Sequence, residues 1–167
     1  KKPRRPKART LSDWNQLAER RFGRVLKLAS GIPAIKKLGP KPATAWKATV
    51  TLIGSAAMTR LNGQYRGKPY PTDVLSFHSP DVFQKQGFLG ELVICVPTLK
   101  RQSKELGHSP ETELDVLLVH GLLHLLGEDH ELGPKESARM AKLESRLMES
   151  LLRRSVKGLI RRAGSGS

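Results

Sequence analysis

Three histidines lie close together in the segment H-G-L-L-H-L-L-G-E-D-H, which spans residues 120–130. His120 and His124 are four residues apart, so a helix through them places both imidazoles on one face, one turn apart. Gly127 is suited to the left-handed conformation that ends a helix, after which the chain can bring His130 to the same point. Three neutral imidazoles leave one position of a tetrahedral zinc open, as in catalytic zinc sites. The segment therefore predicts one zinc ion held by His120, His124 and His130.

Zinc bound in this way lowers the pKa of its water to about 7, which makes a hydrolytic reaction the expected chemistry. Asp129 or Glu128 can orient a ligand imidazole from outside the ligand set. His78 and His108 stand apart from the cluster and are predicted not to be ligands.

A peptide-cleaving enzyme is the less favoured interpretation of the same segment. The metzincin metalloproteases share the spacing H-x-x-x-H-x-x-G-x-x-H, but they need a glutamate as general base directly after the first histidine. This chain has Gly121 there, which has no side chain to accept a proton. A metzincin-like metalloprotease is therefore disfavoured, although the metal-binding pattern survives.

The charge of the chain points to a polyanionic partner. Its 167 residues carry 30 Lys and Arg against 15 Asp and Glu, a net charge of +15 with a pI near 10.5. Eleven of the basic residues lie in residues 1–9 and 151–167, which contain no acidic residue, so the body between them carries only +4. Tails of this kind predict salt-sensitive, sequence-independent affinity for nucleic acid.

A short segment supplies candidate phosphate-binding residues. Tyr65, Arg66 and Lys68 precede a predicted strand. An arginine can fork onto two phosphate oxygens, and a tyrosine can stack on a base. Positive charge beside a metal-activated water is what phosphodiester cleavage needs, because charge develops on the phosphate oxygens.

Length and composition limit the other possibilities. The chain is long enough for one domain with its own core. No apolar run approaches the roughly 18 residues of a membrane span, and no signal peptide is expected. A single cysteine, Cys95, excludes an internal disulfide and a cysteine-rich zinc site, which fits a reducing compartment. We predict a flexible basic arm at 1–10, a single domain at 11–160, and a disordered tail or cloning remnant at 161–167.

Helices at both ends with strands between them predict an α+β fold: a single small mixed β-sheet covered by helices, with the metal site at the end of a core helix. The predicted strands are 47–53, 74–77 and 91–96. The predicted helices are 13–29 capped by Ser12, 56–61 ended by Asn62-Gly63, 97–106, 110–126 capped by Ser109, and 134–160. Residues 64–73 are predicted to be a loop.

Three motifs together resemble one family. These are L-N-G-Q-Y-R-G-K at 61–68, P-T-D-V-L-S-F at 71–77 and the three-histidine segment. In order and spacing, residues 47–150 resemble the YbeY family of rRNA maturation endoribonucleases. The resemblance implies an α+β fold and one zinc ion on His120, His124 and His130. It also implies single-strand-specific endoribonuclease activity in 16S-type rRNA 3′-end maturation and ribosome quality control.

The resemblance also implies roles for particular residues. Arg66 would contact RNA phosphate or stabilise the transition state, with His120 as the other catalytic residue. The aspartate of the second motif is Asp73, and we expect it to hold its loop through backbone N–H groups. Expected partners are rRNA and the small ribosomal subunit, with neither DNA nor a membrane. The expected location is the bacterial cytoplasm, or alternatively an organelle stroma or matrix.

Two questions stay open at this point. Attack on the phosphate by water and attack by the RNA 2′-OH are both compatible with the residues. A ribosome-assembly factor that binds RNA without cutting it, with zinc serving only to staple the fold, is the main alternative function. The oligomeric state is not indicated.

Overall fold

A computed structural model of the chain describes residues 3–152, except for the side chain of His130. Within that range the helices are α1 (Leu11–Gly31), α2 (Pro33–Lys36), α3 (Ser55–Arg66), α4 (Asp81–Gln84), α5 (Val96–Leu106), α6 (Pro110–Leu125) and α7 (Pro134–Leu152). The strands are β1 (Lys47–Ile53), β2 (Val74–His78) and β3 (Phe88–Cys95). This α+β order confirms the predicted fold class. The predicted end of the last helix near residue 160 and the tail at 161–167 lie outside the described residues.

The sheet is small and mixed, as predicted. Its order is β1-β3-β2, with β1 parallel and β2 antiparallel to the central strand β3. The last four residues of β3 are all buried, which is typical of a strand covered on both faces. β1 spans residues 47–53, as the alternating β-branched sequence predicts.

Helix α6, which carries the histidine pair, is the core helix. Twelve of its sixteen residues are buried, so it is enclosed on nearly every side. Ser109 caps it by accepting a hydrogen bond from the Thr112 backbone N–H at 3.1 Å, as the Ser-Pro start predicts. It contacts α1, α5, α7, β2 and β3. Neighbours on all sides therefore fix the position of the two histidines.

An ion pair joins α6 to α1. Arg21 Nη1 lies 2.8 Å from Asp115 Oδ2, and the Asp115 side chain is only 5% exposed. Burial raises the pKa of Asp115 above its ordinary value, while the Arg21 guanidinium opposes that shift. Because burial dominates, the folded state loses stability as the pH rises from the ordinary carboxyl pKa through the raised pKa of Asp115.

Gly121 lets α6 lie directly on the sheet. A Cβ atom at this position would be 2.7 Å from each δ-carbon of Leu92 on β3. The glycine is therefore a close-packing residue. The position that carries the general base in metzincins faces β3 in this fold.

We expect Gly121→Ala to lower the free energy of unfolding by about 1–3 kcal/mol, because the added methyl group overpacks the contact with Leu92. Gly23→Ala in α1 is the matched control, because apart from the adjoining backbone of the helix itself nothing lies within 4 Å of a Cβ there. The control should gain up to about 1 kcal/mol from helix propensity. Urea unfolding of both variants measures the difference. A Gly121→Ala chain as stable as its parent would contradict the packing argument.

Two predicted helix boundaries are wrong. Helix α1 is capped by Thr10 rather than Ser12, because Thr10 and Asp13 exchange side-chain to backbone hydrogen bonds in a capping box. Helix α3 continues through Asn62-Gly63 and ends at Gly67, whose φ is +67°. Asn62 is fully buried and donates to the Tyr70 carbonyl at 2.8 Å, which favours the longer helix. The predicted loop at 64–73 therefore begins three residues later.

Residues 3–10 contain no helix or strand. Arg9, near the end of the predicted arm, forms an ion pair with Glu111 and lies 5.2 Å from the ring centre of Trp14. The arm's flexibility and the outer limits of the domain stay predictions. None of the helices within residues 3–152 has the length and hydropathy to cross a membrane.

Candidate metal centre and cleft

The two histidines of α6 bring their ring nitrogens together. Nε2 of His120 and Nε2 of His124 are 3.1 Å apart, and the rings meet edge to face at 69°. Two nitrogens bound to one tetrahedral zinc are separated by about 3.3 Å, given Zn–N bonds of about 2.0–2.1 Å. The observed separation therefore fits a shared metal ion.

A buried carboxylate from α7 sets the orientation of His120. Oε1 of Glu144 lies 2.7 Å from Nδ1 of His120, and both side chains are at most 5% exposed. Because a carboxylate accepts hydrogen bonds, Nδ1–H is the donor and the Nε2 lone pair faces His124. Histidine metal ligands are held in this way in many metal sites.

Glu144 was not identified from the sequence, although a signal exists. The other buried residues of α7 are apolar: Met140, Leu143, Leu147, Met148 and Leu151. Glu144 lies within this stripe. An acidic residue on the buried face of an amphipathic helix needs a partner, and this partner is a histidine on the neighbouring helix.

We expect Glu144→Gln to weaken metal binding by about 10- to 100-fold, the usual effect of losing the partner of a ligand histidine. The amide fills the same space but provides a weaker acceptor for Nδ1–H. Glu149→Gln, on the exposed face of the same helix, is the control and should bind metal as the parent does. Competition with a zinc-binding dye measures both affinities. Equal affinity in the two variants would remove Glu144 from this role.

The turn after α6 has the predicted form. Gly127 has φ +93°, and the Glu128 backbone N–H returns to the Leu123 carbonyl at 2.9 Å. The left-handed conformation predicted for Gly127 is therefore confirmed. The Glu128 carboxylate accepts from Arg139 Nε at 2.9 Å. The Asp129 carboxylate accepts from the Glu131 backbone N–H at 2.8 Å and caps the 3₁₀ turn His130–Leu132.

For the third predicted ligand, His130, the structure describes only the backbone. Among the side chains that the structure describes, no third histidine, cysteine, aspartate or glutamate completes a metal-binding group with His120 and His124. His130 begins the 3₁₀ turn that follows α6 and the Gly127 turn. Its role as a ligand stays a prediction.

A cleft of about 400 Å³ opens beside His124. Arg66, in the last turn of α3, and His124, on α6, both line it, so a basic group and a histidine of the pair share one cavity. Its full lining is Tyr65, Arg66, Leu75, Ser76, Phe77, His78, His124, Asp129 and Glu131.

Tyr65 and Lys68 differ in their relation to the cleft. Tyr65 is 59% exposed and its ring meets Phe77 edge to face at 5.0 Å, so one face is available for stacking. Lys68 is exposed in the turn after Gly67, where its backbone N–H reaches the Asn62 carbonyl at 3.2 Å, and it is not part of the cleft lining.

Asp73 lies in the interior, 1% exposed, where β2 begins. Its carboxylate accepts from the Val74 backbone N–H at 2.7 Å and from Gln102 Nε2 at 3.2 Å. Its own carbonyl accepts from the Cys95 backbone N–H at 2.9 Å. These contacts place Asp73 in the connection between the start of β2 and the end of β3.

The two isolated histidines have defined surroundings. His78 Nε2–H donates to the His124 carbonyl at 2.8 Å, which places its ring on the cleft wall. His108 Nε2 lies 2.7 Å from Glu113 Oε2 at the start of α6.

The fold and the site together define an α+β protein with a histidine pair beside a cleft that also contains an arginine. A family model described as Endoribonuclease YbeY matches residues 15–152. The chain therefore belongs to the YbeY endoribonuclease family, whose members are hydrolases of RNA.

Curated relatives agree with this assignment, and a solved structure shares the fold. The Endoribonuclease YbeY of Bdellovibrio bacteriovorus is 44% identical over 106 residues, covering 64% of this chain and 68% of the relative. That of Syntrophomonas wolfei is 35% identical over 136 residues, covering 76% and 84%. A solution structure of the Thermotoga maritima protein TM1509 matches with a TM-score of 0.54 at 26% identity, covering 86% of this chain and 85% of that one.

Proposed function

We propose that this protein is a zinc-dependent endoribonuclease that cuts single-stranded RNA. Its substrate would be 16S-type rRNA during 3′-end maturation and ribosome quality control, on the small ribosomal subunit. The proposed location is the bacterial cytoplasm, or an organelle stroma or matrix. One observation carries the proposal: Arg66 lines the same cleft as His124, whose Nε2 lies at the spacing of a shared metal from Nε2 of His120.

His120, His124 and His130 would hold the zinc ion. When bound there, zinc supplies a Lewis acid that activates water near neutral pH. Glu144 keeps the Nδ1 proton of His120 in place, so that Nε2 would be the atom that binds the metal. The planar fork of Arg66 suits two oxygens of the scissile phosphate, where negative charge grows during cleavage.

The aromatic residues of the cleft support a single-stranded substrate. Its mouth presents the exposed ring of Tyr65, and its wall contains Phe77. An unpaired base can leave its neighbours and stack on such a ring, whereas a paired base in a duplex cannot. Stacking beside Arg66 would hold the adjacent phosphate near the histidines.

The direct test is RNA cleavage with and without a chelator. The zinc-loaded protein should cut a labelled single strand and leave a duplex of the same sequence intact. Chelation should stop cleavage, and added zinc should restore it, while circular dichroism shows the helices retained. His124→Ala purified in the same way controls for contaminating nucleases.

Two outcomes would overturn this proposal. Undiminished cleavage by metal-free protein would exclude zinc dependence. Tight RNA binding without cleavage by the zinc-loaded protein, together with unfolding on chelation, would favour the assembly factor with a structural zinc.

A further inference from the structure

Three depressions on the surface adjoin one another. The cleft beside His124 shares His78 with a second cavity of about 470 Å³. That second cavity shares Leu38 with a third of about 480 Å³ between α2 and α7. Shared lining residues make them neighbours, so the three depressions follow one another across the surface from His124 to α7.

The third depression, here called the α2–α7 groove, is strongly basic. Its charged lining residues are Lys37, Arg139, Lys142, Arg146 and Glu149, four cations against one carboxylate. All five are exposed. This contrasts with the body of the chain, which is only mildly basic.

The cations of α7 form an ordered row. Arg139, Lys142 and Arg146 follow the i, i+3, i+7 spacing of one helix edge and span about 10 Å along the axis. Leu143 of α7 and Leu38 also line the groove and give it an apolar floor. Such a floor packs against the aliphatic stems of Lys and Arg and leaves their charged ends in water.

Most of this charge is available to a ligand. Arg139 is paired with Glu128. Within residues 3–152, no carboxylate lies within ion-pair distance of Lys37, Lys142 or Arg146. Three cations on one groove attract a polyanion with regularly spaced charges.

We propose that the α2–α7 groove binds the sugar-phosphate backbone of the single-stranded RNA whose scissile bond lies at the histidine cleft. This inference rests on the proposed function. The position of the groove favours RNA over an acidic protein segment, because the groove adjoins the second cavity and that cavity adjoins the cleft lined by Arg66 and His124. The groove then supplies affinity for long strands and takes no part in the chemistry.

The test compares a groove variant with a charge-matched control. The groove variant is Lys142→Ala with Arg146→Ala. The control is Arg101→Ala with Lys104→Ala, two exposed residues of α5 that line none of the three depressions. Each double variant removes two positive charges. Both are assayed as full chains on single-stranded RNAs of about 6 and about 16 nucleotides that share one cleavage site.

The groove variant should bind the long RNA roughly tenfold more weakly than the control, by fluorescence anisotropy at low temperature. Its slope of log Kd against log salt should fall by about 1.4, or 0.7 for each lost contact. Cleavage of the short RNA should match the parent in kcat and KM.

Equal affinity of the two variants for the long RNA would overturn the groove proposal. A loss of turnover on the short RNA would also overturn it, since the groove would then act in the chemistry. The proposed function fails in a different way, when the parent chain binds both RNAs and cuts neither. In that case, weaker binding of the long RNA by the groove variant than by the control would still support the groove proposal.

Discussion

The His124→Ala variant is expected to purify without zinc and to cut single-stranded RNA more than about a hundredfold more slowly than the parent chain. Losing the partner of a ligand histidine costs about 10- to 100-fold in metal affinity or activity, and losing the ligand itself should cost more. The variant should stay folded, because His124 is only partly buried. Metal analysis and single-turnover cleavage measure the two effects.

His78→Gln is the control for this experiment. His78 lies on the same cleft wall and contacts only the backbone carbonyl of His124 among the hydrogen bonds described for it. Glutamine keeps an N–H donor, so this variant should retain one zinc per chain. Full zinc content in His124→Ala would contradict the paired-histidine site.

The Arg66→Ala variant is expected to keep its zinc and lose about 100- to 1,000-fold in turnover. The loss is of the size seen when one preorganised donor to a developing negative charge is removed. Arg66→Lys should recover part of the activity, since lysine keeps the charge but loses the two-pronged geometry. Cleavage rates at saturating RNA, with metal content measured in parallel, give the result.

Arg60→Ala is the matched control on the same helix. Arg60 is exposed on α3 and is absent from the lining of the cleft. It should cut RNA at the parental rate. If Arg60→Ala and Arg66→Ala lose activity equally, the effect of Arg66 is general electrostatic attraction and not contact with the scissile phosphate.

Local sequence rules predicted the parts of the fold that depend on local chemistry. The Ser109-Pro110 start of α6, strand β1 and the turn at Gly127 follow from capping, alternation and backbone freedom. The histidine pair follows from helical spacing alone. The fold class, the helix carrying the site and the closeness of two candidate ligands were therefore predictable.

The remaining features depend on contacts between distant segments. Helix α3 passes through Asn62-Gly63 because the Asn62 side chain bonds to the Tyr70 carbonyl across the following loop. Glu144 contacts His120, which lies 24 residues earlier in the chain, because α7 packs on α6. Position 121 needs a glycine because a Cβ atom there would overlap Leu92 of β3. Helical periodicity does not reveal this contact.

The contact between Glu144 and His120 also has a consequence for the order of events during biosynthesis. Both α6 histidines leave the ribosome before α7 does, because synthesis runs from the N-terminus. Until α7 docks, nothing from that helix fixes the tautomer of His120. If the histidine pair binds zinc as proposed, tight metal binding would follow the synthesis of α7. On the proposed function, a nascent fragment lacking that helix would bind zinc weakly and cut RNA poorly.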